Sequence, residues 1–440
     1  MTKCRSTANL VLLSFVISIS YRAHAGKEES SRYTLIRAVP RSSSQLRYLY
    51  GLTSRAYFQQ VDFWRFSGTL NDSCDLMIDE ATLKNLTQEF KHKDINYTIV
   101  IPDVEQLISN QAKRKRRRQP GSTYYLEQPG GNYFNLGTYH SYDEICGFMN
   151  WAESSFPHLA KIHTIGYTHE KRPIQLLQLL ENYDRDASVR AYVDLLTWYI
   201  LPVVNPDGYE FSRASFSPRN RNFDFNWGAV GCSNDPCDEI YHGSKPFSEP
   251  ETEAIRRFIT NRSGEFVSFL TLHSYSQMWM YPYGHKRQAY SSDVRQLRAV
   301  ALRATQALYN VYKTRYEVGT GADLLYPASG GSEDWAKGVA GIKYSYLLEL
   351  RPHKDSPQGF LLDESEIMPT GKETWEGIRC VADAVISTAS STAFTSTLTT
   401  LPMVWCQDMD PFLCRWWAAN GGCHMVPSTA LRCPRSCRIC

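Results

Sequence analysis

The chain has 440 residues, enough for about three folded units at roughly 150 residues each. Its 42% hydrophobic and 21% charged residues argue against wholesale disorder, a collagen-like fibre and a polytopic membrane protein. The formal net charge is +3, and the six positive charges of Lys113–Arg118 exceed it. The other residues together therefore carry a net charge of about −3. No diffuse basic surface remains, so we expect no nucleic-acid partner.

The N-terminus is typical of a secretory signal peptide over residues 1–25. Lys3 and Arg5 precede an apolar run from Leu10 to Ile19, and Ala23-His24-Ala25 has the small residues of a cleavage site. The run is too short to span a bilayer, and no stretch of about 18 uncharged apolar residues follows. We therefore predict a secreted, extracellular protein without a membrane span, able to form disulfides.

Residues 26–118 are predicted to form an α+β domain that ends in the basic run. Its short strand and helix patterns follow the order β-α-β-β-α-β, which is typical of a ferredoxin-like fold. The predicted elements are Tyr33–Val39, Gln45–Gly51, Val61–Phe66, Cys74–Ile78, Asp79–Phe90 and Tyr97–Ile101. Because Lys113–Arg118 lies between two folded stretches, we interpret it as the target of an activating protease; a merely solvated charged segment is the alternative.

Residues 119–386 form the largest predicted unit, an α/β sheet flanked by helices. Apolar strand-like runs, such as Phe266–Leu272 and Tyr344–Leu350, alternate with helical patterns. The sequence Ser248–Glu251 has capping-box spacing before a helix. Residues 387–405 are rich in Ser and Thr and predict a linker. Six of the twelve cysteines crowd into residues 406–440, which indicates a small disulfide-rich module.

Polar residues follow three predicted strands of the large unit, where α/β enzymes place their sites. They are Asn205–Tyr209, His273–Tyr275 and Glu349–Arg351. A neutral histidine can bind zinc, a glutamate can act as general base, and an arginine can grip a carboxylate. Each of these residues can equally be a satisfied hydrogen-bonding residue of the fold, so spacing alone leaves a metal-assisted hydrolase as one candidate among several.

Longer motifs narrow the choice. They are Ile165–Pro173, Leu201–Tyr209, Asn220–Phe225, Thr271–Gln277, Tyr326–Trp335 and Leu348–Arg351. Together they resemble the zinc metallocarboxypeptidases of the carboxypeptidase A/B family in their secreted zymogen form. The resemblance implies a mixed α/β sheet, an inhibitory prodomain, one zinc ion and removal of single C-terminal amino acids from peptides or proteins.

The resemblance also implies roles for individual residues. His273 is a zinc ligand, Glu349 is the general base, and Asn220 with Arg221 holds the terminal carboxylate of the substrate. Tyr326 closes over the substrate and Tyr275 binds its backbone. Glu333 lies at the floor of the side-chain pocket, where an acidic residue goes with a preference for Lys or Arg. Gly321 and Gly331 match small wall positions that leave room for a long side chain.

Two segments of the family pattern are absent, near residues 180 and 218. The first would supply the other two zinc ligands through an H-x-x-E motif, together with a core strand. No histidine of this chain has Glu three residues on, and His140 with Asp143 is a poor substitute. The second would supply an oxyanion-stabilising arginine, for which Arg219 is a weak stand-in, and the cysteine partner of Cys237. Cys232 is the alternative partner of Cys237; the pairing of Cys146 and Cys380 stays open.

The tail resembles the ShK-toxin-like domain. That resemblance implies the disulfides Cys406–Cys440, Cys414–Cys433 and Cys423–Cys437, while the sequence alone permits fifteen pairings of six cysteines. The tail contains neither Lys nor Tyr, which argues against block of potassium channels through a Lys-Tyr pair. It is either a stable appendage or a tether to an unidentified ligand.

The sequence therefore predicts a metallocarboxypeptidase by family and an inactive chain by its missing ligands. Two alternatives explain that combination. One is a secreted pseudoenzyme that binds peptide C-termini without cleaving them. The other is a chain that arises from exon skipping or an erroneous gene model, which the clean loss of two internal blocks favours over gradual decay.

Overall fold

The computed structural model describes residues 8–14, 32–52, 61–66, 68–117, 125–128, 132–179, 192–212, 221–236 and 240–396. Its strands are β1 Ala8–Ser14, β2 Tyr33–Val39, β3 Val61–Arg65, β4 Cys74–Asp79, β5 Asn96–Ile101, β6 Tyr125–Gln128, β7 Asn132–Asn135, β8 Ala160–Tyr167, β9 Pro173–Leu179, β10 Leu196–Leu201, β11 Phe266–Ser276, β12 Met278–Met280, β13 Glu317–Gly319 and β14 Tyr344–His353. Its helices are α1 Ser43–Gly51, α2 Glu80–His92, α3 Val104–Arg117, α4 Tyr142–Ser155, α5 Pro206–Ser212, α6 Pro250–Thr260, α7 Val294–Tyr312, α8 Gly321–Leu324, α9 Ser332–Gly338 and α10 Ile367–Ser396.

The N-terminal domain, residues 32–117, has the predicted order of elements. Its antiparallel sheet runs β3-β4-β2-β5. Helix α1 begins where Ser42 and Gln45 form a capping box, and α2 begins where the Asp79 carboxylate accepts from two backbone N–H groups. Both helices bury an apolar stripe, including Leu86 and Phe90, against the sheet. The ferredoxin-like pattern is thus present in the structure.

The large unit is built on an eight-stranded mixed sheet in the order β13-β12-β14-β11-β1-β10-β9-β8. Strands β14, β11, β1 and β10 are parallel, and β9 and β8 pair antiparallel at one edge. Helices α7 and α10 cover one face, and α6 and α9 cover the other. This is the mixed α/β sheet flanked by helices that the sequence predicts.

Strand β1 was not anticipated. It lies in the middle of the sheet, parallel to β10 on one side and to β11 on the other. The neighbouring strands are buried on both faces, and a central parallel strand needs a nearly continuous apolar run, which Ala8–Ser14 supplies. The family segment that is absent near residue 180 would carry a core strand; in the structure, a segment of the predicted signal peptide lies between β10 and β11.

Three further differences have local causes. Helix α10 continues to Ser396, into the predicted linker, and the Ser387 and Thr388 hydroxyls donate to carbonyls one turn back, at 2.7 and 2.9 Å. Helix α6 has no capping box, because the Ser248 hydroxyl donates to the Glu249 side chain and Pro250 starts the helix. The basic run up to Arg117 continues α3.

Candidate active site

Two of the predicted residues lie side by side at the centre of the sheet. His273 on β11 and Glu349 on β14 are direct partners in the parallel register. The His273 ring nitrogen Nε2 lies 2.9 Å from the hydroxyl of Thr271, two residues earlier on the same strand. The sheet therefore brings a candidate metal ligand and a candidate general base together, although both lie inside strands that continue to Ser276 and His353 and not after the strand ends, where the sequence placed them.

The loop after α8 carries the next group. Tyr326 accepts a hydrogen bond at 3.1 Å from the guanidinium of Arg221, so the predicted carboxylate-binding arginine and the predicted closing tyrosine meet. Gly330 has φ +74°, and a Cβ there would lie 2.0 Å from the Arg221 carbonyl oxygen. Only glycine allows the two backbones to approach this closely. Gly330 thus lets the backbone at Arg221 pack closely against the loop that carries Tyr326.

Two adjacent acids, Glu333 and Asp334, follow on α9. A Cβ on Gly331 would lie 2.7 Å from a carboxylate oxygen of Glu333, and one on Gly284 would lie 3.8 Å from it. The adjacent Asp334 is buried, and both of its oxygens accept from the Gly284 N–H, at 3.0 and 2.9 Å. Burial, followed by the nearby Asp334 charge, raises the pKa of Glu333 to about 8. Glycines therefore clear space beside an acid that favours a cationic partner.

The N-terminal domain covers one side of this site. The hydroxyl of the buried Tyr275 donates to Asp75 of β4 at 3.0 Å. Burial, and then Asp75, raises the pKa of Tyr275 well above its usual value, so the hydroxyl stays protonated. Arg37 of β2 donates twice to Asp75, both at 2.7 Å, and also to the carbonyl oxygens of Asp355 and Lys354 at 2.9 and 3.1 Å.

A second contact covers Tyr326. The ring of Phe66 meets the Tyr326 ring edge to face, with centroids 6.0 Å apart. A Cβ on Gly68 would lie 2.7 Å from the Leu325 carbonyl oxygen, so any larger residue at this position would push the N-terminal domain away from that loop. The Gly68 carbonyl oxygen also accepts from Arg287 at 3.4 Å. Both tyrosines of the candidate substrate cleft are thus held by the N-terminal domain.

Comparison with known proteins matches both units. Residues 175–377 match the zinc carboxypeptidase family, and residues 36–111 match the carboxypeptidase activation peptide. The chain is 31% identical to carboxypeptidase A2 of Mus musculus over 401 residues, covering 80% of this chain and 93% of that protein. The chain belongs to the zinc carboxypeptidase family.

Other zinc carboxypeptidase relatives agree. Carboxypeptidase B of Astacus astacus is 36% identical over 302 residues, covering 58% of this chain and 99% of that protein. The crystal structure of thrombin activatable fibrinolysis inhibitor superposes with a TM-score of 0.69 at 27% identity, covering 81% of this chain and 99% of that one. The domain at residues 32–117 is therefore the activation-peptide domain, called the prodomain below.

The family implies one zinc ion, but the described residues do not fit it. Among them, no group of three or more His, Cys, Asp or Glu side chains is placed to hold a metal. Among the described residues, His273 has the Thr271 hydroxyl within hydrogen-bond distance and Glu349 as its register partner. The weak substitute His140 is engaged elsewhere, because its Nε2 lies 2.7 Å from the Asn135 carbonyl oxygen and its ring stacks on Phe134. No catalytic step through zinc follows from this arrangement.

The structure thus pairs His273 with Glu349 across two strands and Arg221 with Tyr326 across two loops. It also joins Tyr275 to the N-terminal domain and places Glu333 beside Gly331. Asn220, Arg219, Cys237 and the tail at residues 406–440 lie outside the described residues. Cys232 pairs with no cysteine in the part of the chain that the structure describes.

Sequence reasoning missed Asp75 and Arg37. The available signal was a carboxylate inside the otherwise apolar run Cys74–Ile78, where a buried charge requires a partner.

Proposed function

We propose that this protein is the secreted zymogen form of a metallocarboxypeptidase that selects peptides ending in Lys or Arg. The substrate class is supported by Glu333. Its carboxylate lies beside Gly331 and Gly284, which have no side chains to fill the space around it. A carboxylate in such a pocket gains a charge-assisted hydrogen bond when a guanidinium or ammonium group enters. The resemblance implies that Asn220 and Arg221 would hold the terminal carboxylate of that Lys or Arg residue.

The described residues include the proposed recognition groups Arg221, Tyr275, Tyr326 and Glu333 and contain no three-ligand metal group. Because the sequence lacks the H-x-x-E motif that would supply two zinc ligands, we propose that this chain binds C-termini without hydrolysing them. Such a form arises from exon skipping, from an erroneous gene model or from a true pseudoenzyme gene. Sequencing the transcript across Leu180-Glu181 and Ser217–Asn220 separates these origins, since a longer transcript would identify the active enzyme.

We propose secretion on the signal-peptide pattern of residues 1–25. None of the described helices combines the length and the apolar character of a membrane span. The proposed partners are an activating protease, the C-termini of peptides or proteins, and an unidentified ligand of the tail.

The prodomain contacts support the zymogen proposal. Asp75 accepts from the hydroxyl of Tyr275, and Arg37 donates to the carbonyl groups of residues 354 and 355. Phe66 and Gly68 both lie against Tyr326. Around the charged pair, Leu35, Trp64 and Met77 of the prodomain pack with Tyr275 and Leu361. A substrate chain cannot reach either tyrosine while this interface is closed.

Replacing Asp75 with Asn is expected to loosen that interface. The substitution removes the charge that accepts from Tyr275 across the interface and that holds the mostly buried guanidinium of Arg37 within the prodomain. Hydrogen bonds to charged groups contribute about 1.5–3 kcal/mol each, so the interface should weaken about 10- to 100-fold. Hydrogen exchange of the Asp355–Leu361 amides should accelerate accordingly. Tyr275→Phe, which removes one neutral donor, should give about a 10-fold effect.

The matched control is Arg32→Ala. The Arg32 side chain is 73% exposed and lies 3.8 Å from Asp103, a surface pair that contributes little. If Arg32→Ala and Asp75→Asn accelerate exchange equally, the charged pair does not hold the prodomain.

The basic run Lys113–Arg118 is expected to be the activation site. A trypsin-like or furin-like protease should cut there and leave a mature N-terminus near Gln119. Because the run up to Arg117 is helical, its last turns must open before a protease can bind it in extended form. Mass spectrometry of the secreted protein checks this; recovery of only the uncut proprotein would contradict it.

For the tail we propose the pairing Cys406–Cys440, Cys414–Cys433 and Cys423–Cys437. A module of about 35 residues is too small to remain folded without such cross-links. Disulfide mapping by mass spectrometry should recover three disulfide-linked peptide pairs, one for each proposed bond. Any other connectivity would refute the ShK-like assignment.

A further inference from the structure

Strand β1 lies within the segment that the sequence predicts to be a signal peptide. Residues 1–25 have the pattern of a signal peptide that is removed after Ala25, and residues 8–14 of the same segment form a strand in the middle of the catalytic sheet. A removed segment cannot remain in the sheet.

The surroundings of β1 show what its removal would do. The strand has six register partners on β10, from Leu196 to Leu201, and six on β11, from Phe266 to Leu272. On either side of it Trp198, Leu201, Phe269 and Leu270 are buried, so this part of the sheet has packed layers on both faces. Without β1, the facing backbone N–H and C=O groups of β10 and β11 would lose their partners inside the core, which is costly.

The slot between β10 and β11 also selects its occupant. It requires one parallel strand that is apolar at nearly every position, because both faces of the sheet are covered by helices. The same apolar run that predicts the core of a signal peptide meets that requirement. The family segment missing near residue 180 is the one that carries a core strand, so the slot exists in this chain because its usual occupant is absent.

We propose that Ala8–Ser14 is a structural strand of the catalytic domain, and that signal-peptide removal and completion of the sheet exclude each other in this chain. A molecule that keeps the segment folds with a complete sheet. A molecule cut after Ala25 has an open slot that accepts one apolar parallel strand. A second consequence concerns activation: after a cut at Lys113–Arg118, the N-terminal fragment stays bound, because β1 remains threaded between β10 and β11.

The direct test compares residues 1–440 with residues 26–440, both produced without secretion so that no signal peptidase acts, and refolded identically. We expect the amides of β10 and β11 to be protected from hydrogen exchange in the longer chain and to exchange at least 100-fold faster in the shorter one. A peptide with the sequence of residues 6–16, added to the shorter chain, should restore protection, and a scrambled peptide should not. Equal protection in both chains, or no protection in the longer one, would overturn the proposal.

A cross-link tests the same position without depending on stability. Leu12 pairs with Ile200 in the register, and Cα atoms of adjacent strands lie roughly 4.8 Å apart, within disulfide range. Leu12→Cys with Ile200→Cys should therefore form a disulfide in the folded 1–440 chain. Leu12→Cys with Thr197→Cys, three residues out of register and roughly 10 Å away, should not. No link at Ile200, or equal yields for both pairs, contradicts the proposed strand.

The fragment experiment completes the set. After proteolysis at Lys113–Arg118, the two fragments of 1–440 should co-elute in gel filtration and separate only in denaturant. Separation under native conditions would show that β1 does not tie the prodomain to the catalytic sheet.

Discussion

The chain as written is expected to release no C-terminal amino acid from any peptide, whereas a chain with both missing segments restored should do so at ordinary carboxypeptidase rates. The reason is the ligand count: only His273 remains of three expected zinc ligands, and no other described residues complete a metal group. Loss of a residue that only orients a metal ligand typically lowers metal affinity or activity about 10- to 100-fold, and loss of the ligands themselves should lower it further. We therefore expect kcat/KM to differ by about 10⁴-fold or more.

The restored chain is best made with the corresponding segments of the Astacus astacus carboxypeptidase B relative, which is 36% identical to this chain. Release of C-terminal Arg, Lys and Phe from matched peptides measures the outcome after proteolytic activation. Restoring only the segment near residue 218 is the control, since it returns no zinc ligand and should leave the chain inactive. Turnover by the unrestored chain would show that the ligand assignment is wrong.

The second large effect concerns Glu333 in the restored chain. Glu333→Gln keeps the size of the side chain and removes its charge, so kcat/KM for peptides ending in Arg should fall about 100-fold. Peptides ending in Leu or Phe should change little or improve. The matched control is Glu376→Gln on α10, where the carboxylate pairs with Arg379 outside the pocket. A 100-fold loss for all peptides alike would indicate structural damage instead of lost selectivity.

The same residue predicts a pH dependence. Because the pKa of Glu333 is raised to about 8, its carboxyl group is largely neutral below that pH and negative above it. The ratio of kcat/KM for Arg-ending over Leu-ending peptides should therefore rise as the pH increases from about 6 to 9. In Glu333→Gln the ratio should be flat; a ratio that falls with pH in the parent chain would place the acid elsewhere.

The prodomain could be predicted well because its information is local. Alternating runs such as Tyr33–Val39 and capping residues such as Asp79 mark the strands and helices within a few residues. The sequence placed His273 and Glu349 at the ends of neighbouring strands, but the strands run on past them to Ser276 and His353, so only their proximity was predictable.

The features that sequence reasoning missed depend on contacts far apart in the chain. The partner of Asp75 is Tyr275, two hundred residues away, and the partners of β1 are β10 and β11. An apolar run has the same composition whether it enters a translocation channel or a parallel sheet, so residues 8–14 could not be assigned to the sheet from pattern alone. Helix α10 continues into the Ser/Thr-rich segment that was predicted to be a linker, because the hydroxyls of Ser387 and Thr388 donate to carbonyl groups of the same helix.

The most direct test of the whole account is the zinc content of the folded protein. Purified 1–440 chain and restored chain should be loaded with zinc, dialysed together against the same buffer, and measured by elemental analysis and native mass spectrometry. The account predicts one zinc ion per restored chain and well under a tenth of an ion per unrestored chain at the protein concentration used. Stoichiometric zinc in the unrestored chain would contradict the claim that this molecule keeps the recognition half of a carboxypeptidase without its metal half.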